Sequence, residues 1–184
     1  MFRIRRRGAT GVIQLALADT PVPDAAAPAD PTVEVATGGC TMAISPKTGL
    51  ITFHPGGDAP ALALRLRWLE EGDGRLVGCE LTGSLQADEA LVGFGERFSA
   101  LDQRGRALYS VVYEQYKNHG NRTYIPMPFF LSNQGYGCLV EGTGYVAYDL
   151  GRTVPDRWRC LAMCGHAATG CRRFPGRPAA QGGA

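Results

Sequence analysis

The sequence lacks any long apolar run, any long amphipathic helix and any repeat of fixed period. Its 184 residues contain no apolar stretch near the ~20 residues that a membrane-spanning helix requires. They are also fewer than the ~250 residues typical of a (β/α)8 barrel, although they suffice for one sizeable core. We therefore expect a single domain that does not span a membrane.

A disulfide framework is also missing. The six cysteines are scattered along the chain and do not form the dense pattern of a small secreted domain. The basic residues 1–7 precede a short mixed segment, VIQLALA, that is interrupted by Gln14, so we interpret this segment as a strand and not as a signal peptide. Both features predict a cytoplasmic protein with reduced thiols.

Charge is divided unevenly between the body and the tail. Residues 152–184 contain six arginines and one acidic residue, a net charge of +5, while residues 1–151 sum to −3. Clustered arginine can mark nucleic-acid binding. Here the arginines lie among Gly, Pro and Ala with no helical period, so we expect a solvated extension and no nucleic-acid partner.

The tail also lacks the residues that build a core. Residues 162–184 contain no Leu, Ile, Val or acidic residue, and we expect them to be disordered because they offer too little apolar area to offset the ordering of the backbone. A zinc site is the alternative, but its spacing, C-x3-C-x-H-x4-C, matches no common zinc pattern, so we predict no metal. The potential ligands are Cys160, Cys164, His166 and Cys171.

The rest of the chain consists of short alternating runs with turn residues between them. The alternation predicts strands in TVEVAT, CTMAIS, LITFHP and RLVGCELTGSLQ. Residues 21–31 contain four prolines, so we expect an exposed connection there. Only Glu89–Ala100 and the tail lack clear strand character. In ALALRLRWLE the period of two places four large side chains on one face: Leu62, Leu64, Leu66 and Trp68. The pattern predicts an all-β sandwich.

An ordered set of motifs between Gly93 and Gly151 is the most specific feature. GFGERFSALDQRGR is followed by TYIPMPFFLSNQGYGCLVEGTGYVAYDLG. The GxGERF segment, the L-D-x-R-G segment, the Y-x-P-x-P-F-F-L-S strand and the G-Y-G after it resemble, in this order, the amino-terminal domain of family 31 glycoside hydrolases. These are the α-glucosidase-like retaining enzymes.

The resemblance implies a large antiparallel β-sandwich of the galactose mutarotase-like type. We assign it to residues 1–161 and treat residues 162–184 as a non-native-looking tail. In the family the catalytic carboxylates lie on a downstream barrel. The resemblance therefore implies that this chain holds no catalytic residue and is inactive alone.

The carboxylates of the chain support this expectation. A retaining glycosidase needs two carboxyl groups ~5 Å apart. We expect Glu96 and Arg97 to form a buried pair, with each other or with the backbone, and Asp102 to accept backbone N–H bonds in a turn. The carboxylates that we considered are Glu96, Asp102, Glu114, Glu141 and Asp149.

Residues 113–122, YEQYKNHGNR, lie between two strands and exceed the ~2–5 residues of a simple hairpin. Their tyrosines offer faces for sugar stacking, and their amides and cations offer hydrogen-bond donors. The resemblance implies that a loop at this place reaches over the barrel mouth and shapes the sugar subsites, although the W-N-x-D pattern of many members is missing. The candidate substrate-binding residues are Tyr113, Glu114, Gln115, Tyr116, Lys117, Asn118, Asn121 and Arg122.

Further aromatic residues follow in the strands, and we expect them to pack in the core or between strands before they bind sugar. They are Tyr124, Phe129, Phe130, Tyr136, Tyr145 and Tyr148. Pro126 and Pro128 imply an edge strand or a bulge.

We thus predict the non-catalytic amino-terminal domain of an α-glucosidase-like enzyme. Its partners would be an α-glucoside-like carbohydrate and the missing barrel, and it would need no cofactor. A free-standing carbohydrate-binding module stays open as an alternative. So does a mutarotase-like epimerase, whose base could be an acidic residue, His54 or His119.

Overall fold

Thirteen strands and no helix form the described part of the chain. The computed structural model describes residues 2–4, 12–16, 33–37, 40–45, 47–55, 62–73, 75–114, 120–141 and 144–163. Within these ranges no helix has the length and apolarity to cross a membrane. The strands are β1 (Phe2–Ile4), β2 (Val12–Ala16), β3 (Val33–Thr37), β4 (Cys40–Ser45), β5 (Leu50–Pro55), β6 (Leu62–Glu70), β7 (Leu76–Ser84), β8 (Leu91–Gly95), β9 (Ala107–Ser110), β10 (Pro126–Ser132), β11 (Tyr136–Glu141), β12 (Val146–Leu150) and β13 (Arg157–Met163).

The strands form two antiparallel sheets. The smaller has the order β1-β2-β11-β10-β8 and the larger the order β3-β4-β5-β6-β7-β13-β12-β9. Strands β3 to β7 follow one another as a meander, and β13 then inserts between β7 and β12. The core cluster draws side chains from both sheets, so the predicted all-β sandwich is confirmed.

Strand β6 shows how the alternation fixes the faces. Leu64 is buried, and Leu62, Leu66 and Trp68 pack against the core, as predicted. The alternate side chains point outward, where Arg67 pairs with Glu80 of β7 at 3.2 Å. Register is set here because a slip of one residue would exchange the apolar and charged faces.

Aromatic side chains fill the centre of the sandwich. Phe94 and Phe130 stack at 5.2 Å between ring centroids, and Trp158 meets Phe130 edge-on at 5.3 Å. Tyr148 packs edge-on against Phe94 at 4.9 Å. The expectation of core packing is confirmed for Phe130, Tyr136 and Tyr148, whereas Tyr124 is 54% exposed.

Strand β8 corrects one expectation. Glu89–Ala100 lacked strand character in the sequence, yet Leu91–Gly95 pairs with β10. Gly93 and Gly95 adopt φ of 113° and 84°, so the strand is irregular. Because glycine has no side chain, the alternation of apolar and polar residues that predicts a strand is missing here.

Strand β10 has neighbours on both sides and is not at an edge. Its pairing with β8 shifts register between Pro126 and Phe130, so the predicted bulge is present and the alternative of an edge strand is wrong. Because the pairing is irregular between Pro126 and Phe130, the two prolines in this stretch need not donate the N–H that a regular ladder would take from those positions.

The ends of the predicted domain are only partly described. Strand β13 continues to Met163, two residues beyond the expected boundary at Leu161. Cys160 is buried in this strand. The predicted connection at 21–31 and the last residues of the tail, 164–184, lie outside the described residues, as do Cys164, His166 and Cys171.

The buried thiols lead to a prediction about alkaline stability. Burial and the neighbouring Cys79 raise the pKa of Cys138 to about 12, and burial raises the pKa of Cys160 as well. An unfolded thiol titrates near ~8.5, so the stabilising contribution is complete below that pH and is lost as pH rises towards the folded value. We expect the free energy of unfolding to fall above about pH 9.

Urea unfolding between neutral and alkaline pH measures this fall. Cys138→Ala should flatten the alkaline slope, and Cys40→Ala, at a half-buried position, serves as the matched control. Equal slopes in the two variants would contradict the prediction.

Candidate functional site

The candidate loop, residues 113–122, lies in the chain between β9 and β10. Its two ends meet at a neck, which we define as residues 109–113 and 121–123. Tyr109 N–H donates to the Asn121 carbonyl at 2.9 Å, and Tyr113 N–H donates to the Thr123 carbonyl at 3.0 Å. Val112 and Thr123 also form an isolated parallel bridge. The neck therefore closes the loop at its base by main-chain contacts.

Arg97 lies beside this neck and binds three backbone carbonyls. Its Nη1 donates to Asn121 O at 3.0 Å, its Nη2 to Tyr109 O at 3.1 Å and its Nε to Phe94 O at 3.0 Å. The planar fork of a guanidinium suits several acceptors at once. Burial lowers the pKa of Arg97, but an arginine stays charged at physiological pH.

Glu96 acts through its backbone. Its N–H donates to the Ile125 carbonyl at 3.1 Å, and its carbonyl accepts a hydrogen bond from the Thr123 hydroxyl. The Glu96 side chain is exposed, so the predicted burial of this carboxylate is wrong. The buried pairing in GFGERF is made by Arg97 with backbone carbonyls.

Four of the eight candidate substrate-binding residues are described. Tyr113 and Asn121 are half-buried, while Glu114 and Arg122 are exposed. The Arg122 guanidinium carbon lies 3.6 Å from the centroid of the Tyr113 ring, a cation–π contact. One face of Tyr113 is thus covered by Arg122. The other four candidates lie outside the described residues: Gln115, Tyr116, Lys117 and Asn118.

Large apolar side chains are exposed in three parts of the chain: residues 98–101, the neck and the residues that follow it. Phe98 and Leu101 are 72% and 82% exposed, which is unusual for such large apolar residues. We use the name apolar rim for this exposed set, which comprises Phe98, Leu101, Val112, Tyr124, Ile125 and Met127. Main-chain hydrogen bonds join Glu96 to Ile125 and Tyr113 to Thr123, close in the chain to Phe98, Val112 and Tyr124.

Two of the other carboxylates, Asp102 and Asp149, serve turns. Asp102 Oδ1 accepts the N–H of Arg104 at 2.9 Å and of Leu91 at 3.0 Å, so its predicted turn role is confirmed. Asp149 Oδ1 accepts the N–H of Arg152 at 2.9 Å and of Thr153 at 3.1 Å. Both carboxylates are therefore held by the backbone.

Two histidines were considered as an epimerase base. His54 lies in β5, half-buried, with Nε2 3.0 Å from the Thr52 hydroxyl. His119 lies outside the described residues.

The sequence did not predict the contacts of Arg97 with the neck. The only signal was the place of Arg97 in GFGERF, which indicated a structural pair without naming its partners. Tyr109 and Asn121, which supply two of the carbonyls, lie 12 and 24 positions away in the chain.

Comparison with known proteins decides the family. The sequence model of the glycosyl hydrolase 31 N-terminal galactose mutarotase-like domain matches residues 18–149. The chain belongs to this family. Its described strands and the motifs from Gly93 onward lie largely within the matched region.

Two curated relatives are enzymes with isomaltose in their names. An isomaltosyltransferase of Sporosarcina globispora is 33% identical over 103 residues, which is 56% of this chain and 9% of that protein. A 1,3-α-isomaltosidase of Kribbella flavida is 66% identical over 47 residues, which is 24% of this chain and 6% of that protein. The chain thus covers less than a tenth of either relative.

A solved structure agrees on the fold. The cycloalternan-forming enzyme of Listeria monocytogenes, in complex with a pentasaccharide substrate, superposes with a TM-score of 0.66 at 22% identity. The match covers 83% of this chain and 16% of that enzyme.

Proposed function

We propose that this domain packs on a family 31 catalytic barrel and contributes residues 113–122 to the sugar subsites of the complete enzyme. The exposure of the apolar rim is the observation that supports packing on a barrel. Large apolar side chains exposed to solvent can mark an interaction surface, and here they lie in the neck, in the residues that follow it and at 98–101.

The loop supplies the groups that a sugar subsite needs. Arg122 and Glu114 are exposed and offer a donor and an acceptor for hydroxyl groups. The Arg122–Tyr113 contact joins a cation to an aromatic ring and limits the freedom of both side chains. A preordered pair of this kind loses less entropy when a sugar binds.

The substrate that we propose is an α-glucan with isomaltosyl units. The names of the two curated relatives support this choice, as does the pentasaccharide complex of a structural neighbour for a carbohydrate in general. The hydrolysis itself would use barrel carboxylates. Asp102 and Asp149 are already held in turns.

Turnover tests this proposal. We expect the purified 184-residue chain to show no hydrolysis of aryl α-glucosides, and a fusion of this domain to a family 31 barrel to cleave an isomaltosyl substrate. In the fusion, Arg122→Ala should raise KM about tenfold, the effect of losing one charge-assisted hydrogen bond.

Arg152→Ala is the matched control, because Arg152 is also an exposed arginine but lies in the turn after β12. Equal kinetics of Arg122→Ala and the parent fusion would count against the subsite role. Saturable isomaltose binding by the chain alone, measured by calorimetry, would instead favour a free-standing carbohydrate-binding module.

We also propose that the protein works in the cytoplasm. Cys40, Cys138 and Cys160 are free thiols, which suits a reducing compartment. Cell fractionation with an antibody against the chain tests this, and recovery outside the cytoplasmic fraction would contradict it.

A further inference from the structure

Two arginines of the family motifs bind backbone carbonyls in the same manner but at different places. Arg97 binds carbonyls at both sides of the loop neck and in β8, as described above. Arg104 donates to Gln86 O, to Glu89 O at 3.0 Å and to Pro155 O at 3.4 Å. The second set joins the turn before β8 to the turn before β13.

We infer that Arg97 is the positioning residue of the loop, because it holds the two sides of the neck at a fixed separation. This inference rests on the proposed function, in which the loop carries sugar-binding groups. Arg97 touches the carbonyl of Tyr109 on the outgoing side and of Asn121 on the returning side. Its third bond, to Phe94, fastens both sides to β8.

The geometry explains why one residue governs the loop. The Asn121 carbonyl accepts from both Arg97 and the Tyr109 N–H. Loss of the guanidinium removes a charged donor from each side of the neck at once and leaves half-buried carbonyls without it. Arg122, one residue after Asn121, and Tyr113, four residues after Tyr109, would then be held less firmly in place.

Hydrogen exchange of the full 184-residue chain tests the inference without any sugar. The reporters for the neck are the amides of Tyr109 and Tyr113, which donate across it. The reporters for the other site are the amides of Leu85 and Arg157, which donate to Asp156 and Val154. Amides of β7 serve as the reference for global unfolding.

In Arg97→Met, we expect exchange at the neck reporters to rise about tenfold or more relative to the reference. In Arg104→Met, the matched control, the rise should appear at Leu85 and Arg157 and not at the neck. Arg97→Lys keeps the charge and should restore part of the protection, and it also serves if Arg97→Met does not fold.

The inference would be overturned if hydrogen exchange at the neck reporters rose no more in the Arg97 variants than in Arg104→Met. Equal exchange in Arg97→Lys and Arg97→Met would overturn it too. Failure of the proposed function is seen separately, as an unchanged KM in the Arg122→Ala fusion, because the exchange reporters do not depend on a sugar.

Discussion

Replacing Trp158 with alanine is expected to lower the free energy of unfolding by about 3–5 kcal/mol, the usual cost of truncating a large buried aromatic residue. The indole is fully buried in β13, between the two sheets, and contacts the rings of Phe130 and Tyr136. The cavity would be large because these neighbours are themselves fixed in strands.

Gly83 makes this prediction sharper. It lies directly opposite Trp158 on β7, and a Cβ at this position would come within 2.6–2.7 Å of three indole atoms. Gly83→Ala alone should therefore cost about 1–3 kcal/mol through overpacking. In the Trp158→Ala background the same methyl group has space, so Gly83→Ala should be nearly neutral.

Urea denaturation of the two single variants and the double variant measures this coupling. Gly72→Ala is the matched control, because a Cβ at Gly72 would meet nothing within 4 Å. It should change the free energy of unfolding by less than about 0.5 kcal/mol. Additive effects of Gly83→Ala and Trp158→Ala would show that the indole does not depend on the missing Cβ.

Replacing Glu89 with alanine is expected to cost about 3–5 kcal/mol. The Glu89 side chain is 2% exposed, and its carboxylate accepts hydrogen bonds from the Ser132 hydroxyl at 2.7 Å, the Gln86 N–H at 2.9 Å and the Tyr136 hydroxyl. Alanine would leave the buried hydroxyls of Ser132 and Tyr136 without this acceptor, and each unsatisfied group costs about 1–3 kcal/mol.

Asp88→Ala is the matched control, because Asp88 is the acidic neighbour of Glu89 but its side chain is exposed. We expect a change within about 0.5 kcal/mol, as for most surface positions. The loss of unfolding free energy in Glu89→Gln should lie between the losses in Glu89→Ala and Asp88→Ala. The amide keeps one acceptor oxygen but turns an NH₂ group towards existing donors. Equal unfolding midpoints for the Glu89 and Asp88 variants would contradict a structural role for this carboxylate.

The sequence indicated residues 113–122 as the candidate loop, and its role in sugar binding stays a prediction, but the sequence did not indicate the contacts that hold the neck together. The length and polarity of residues 113–122 indicated a functional loop, and Asp102 was correctly predicted as a turn residue. The neck was not predictable, because its contacts join Arg97, Tyr109 and Asn121 across the chain. Hydrogen bonds to backbone carbonyls leave no trace in residue type at the accepting position.

The sequence by itself determined the class of the fold and the family. Alternation in strands such as β6 fixed which face is buried, since a period of two admits only one apolar side. The ordered motifs from Gly93 onward determined the family because they require particular residues at particular spacings.

Only the tertiary structure decided how the elements meet. It placed β13 between β7 and β12, set Trp158 against Gly83, and made a strand of Leu91–Gly95 despite its glycines. Each of these depends on contacts between residues far apart in the chain, and local propensity carries no information about such partners. The partners of Arg97 and Glu89 were not predictable for the same reason. A charge removed from solvent is stabilised by the donors or acceptors that the fold brings to it, and these lie far away in the chain.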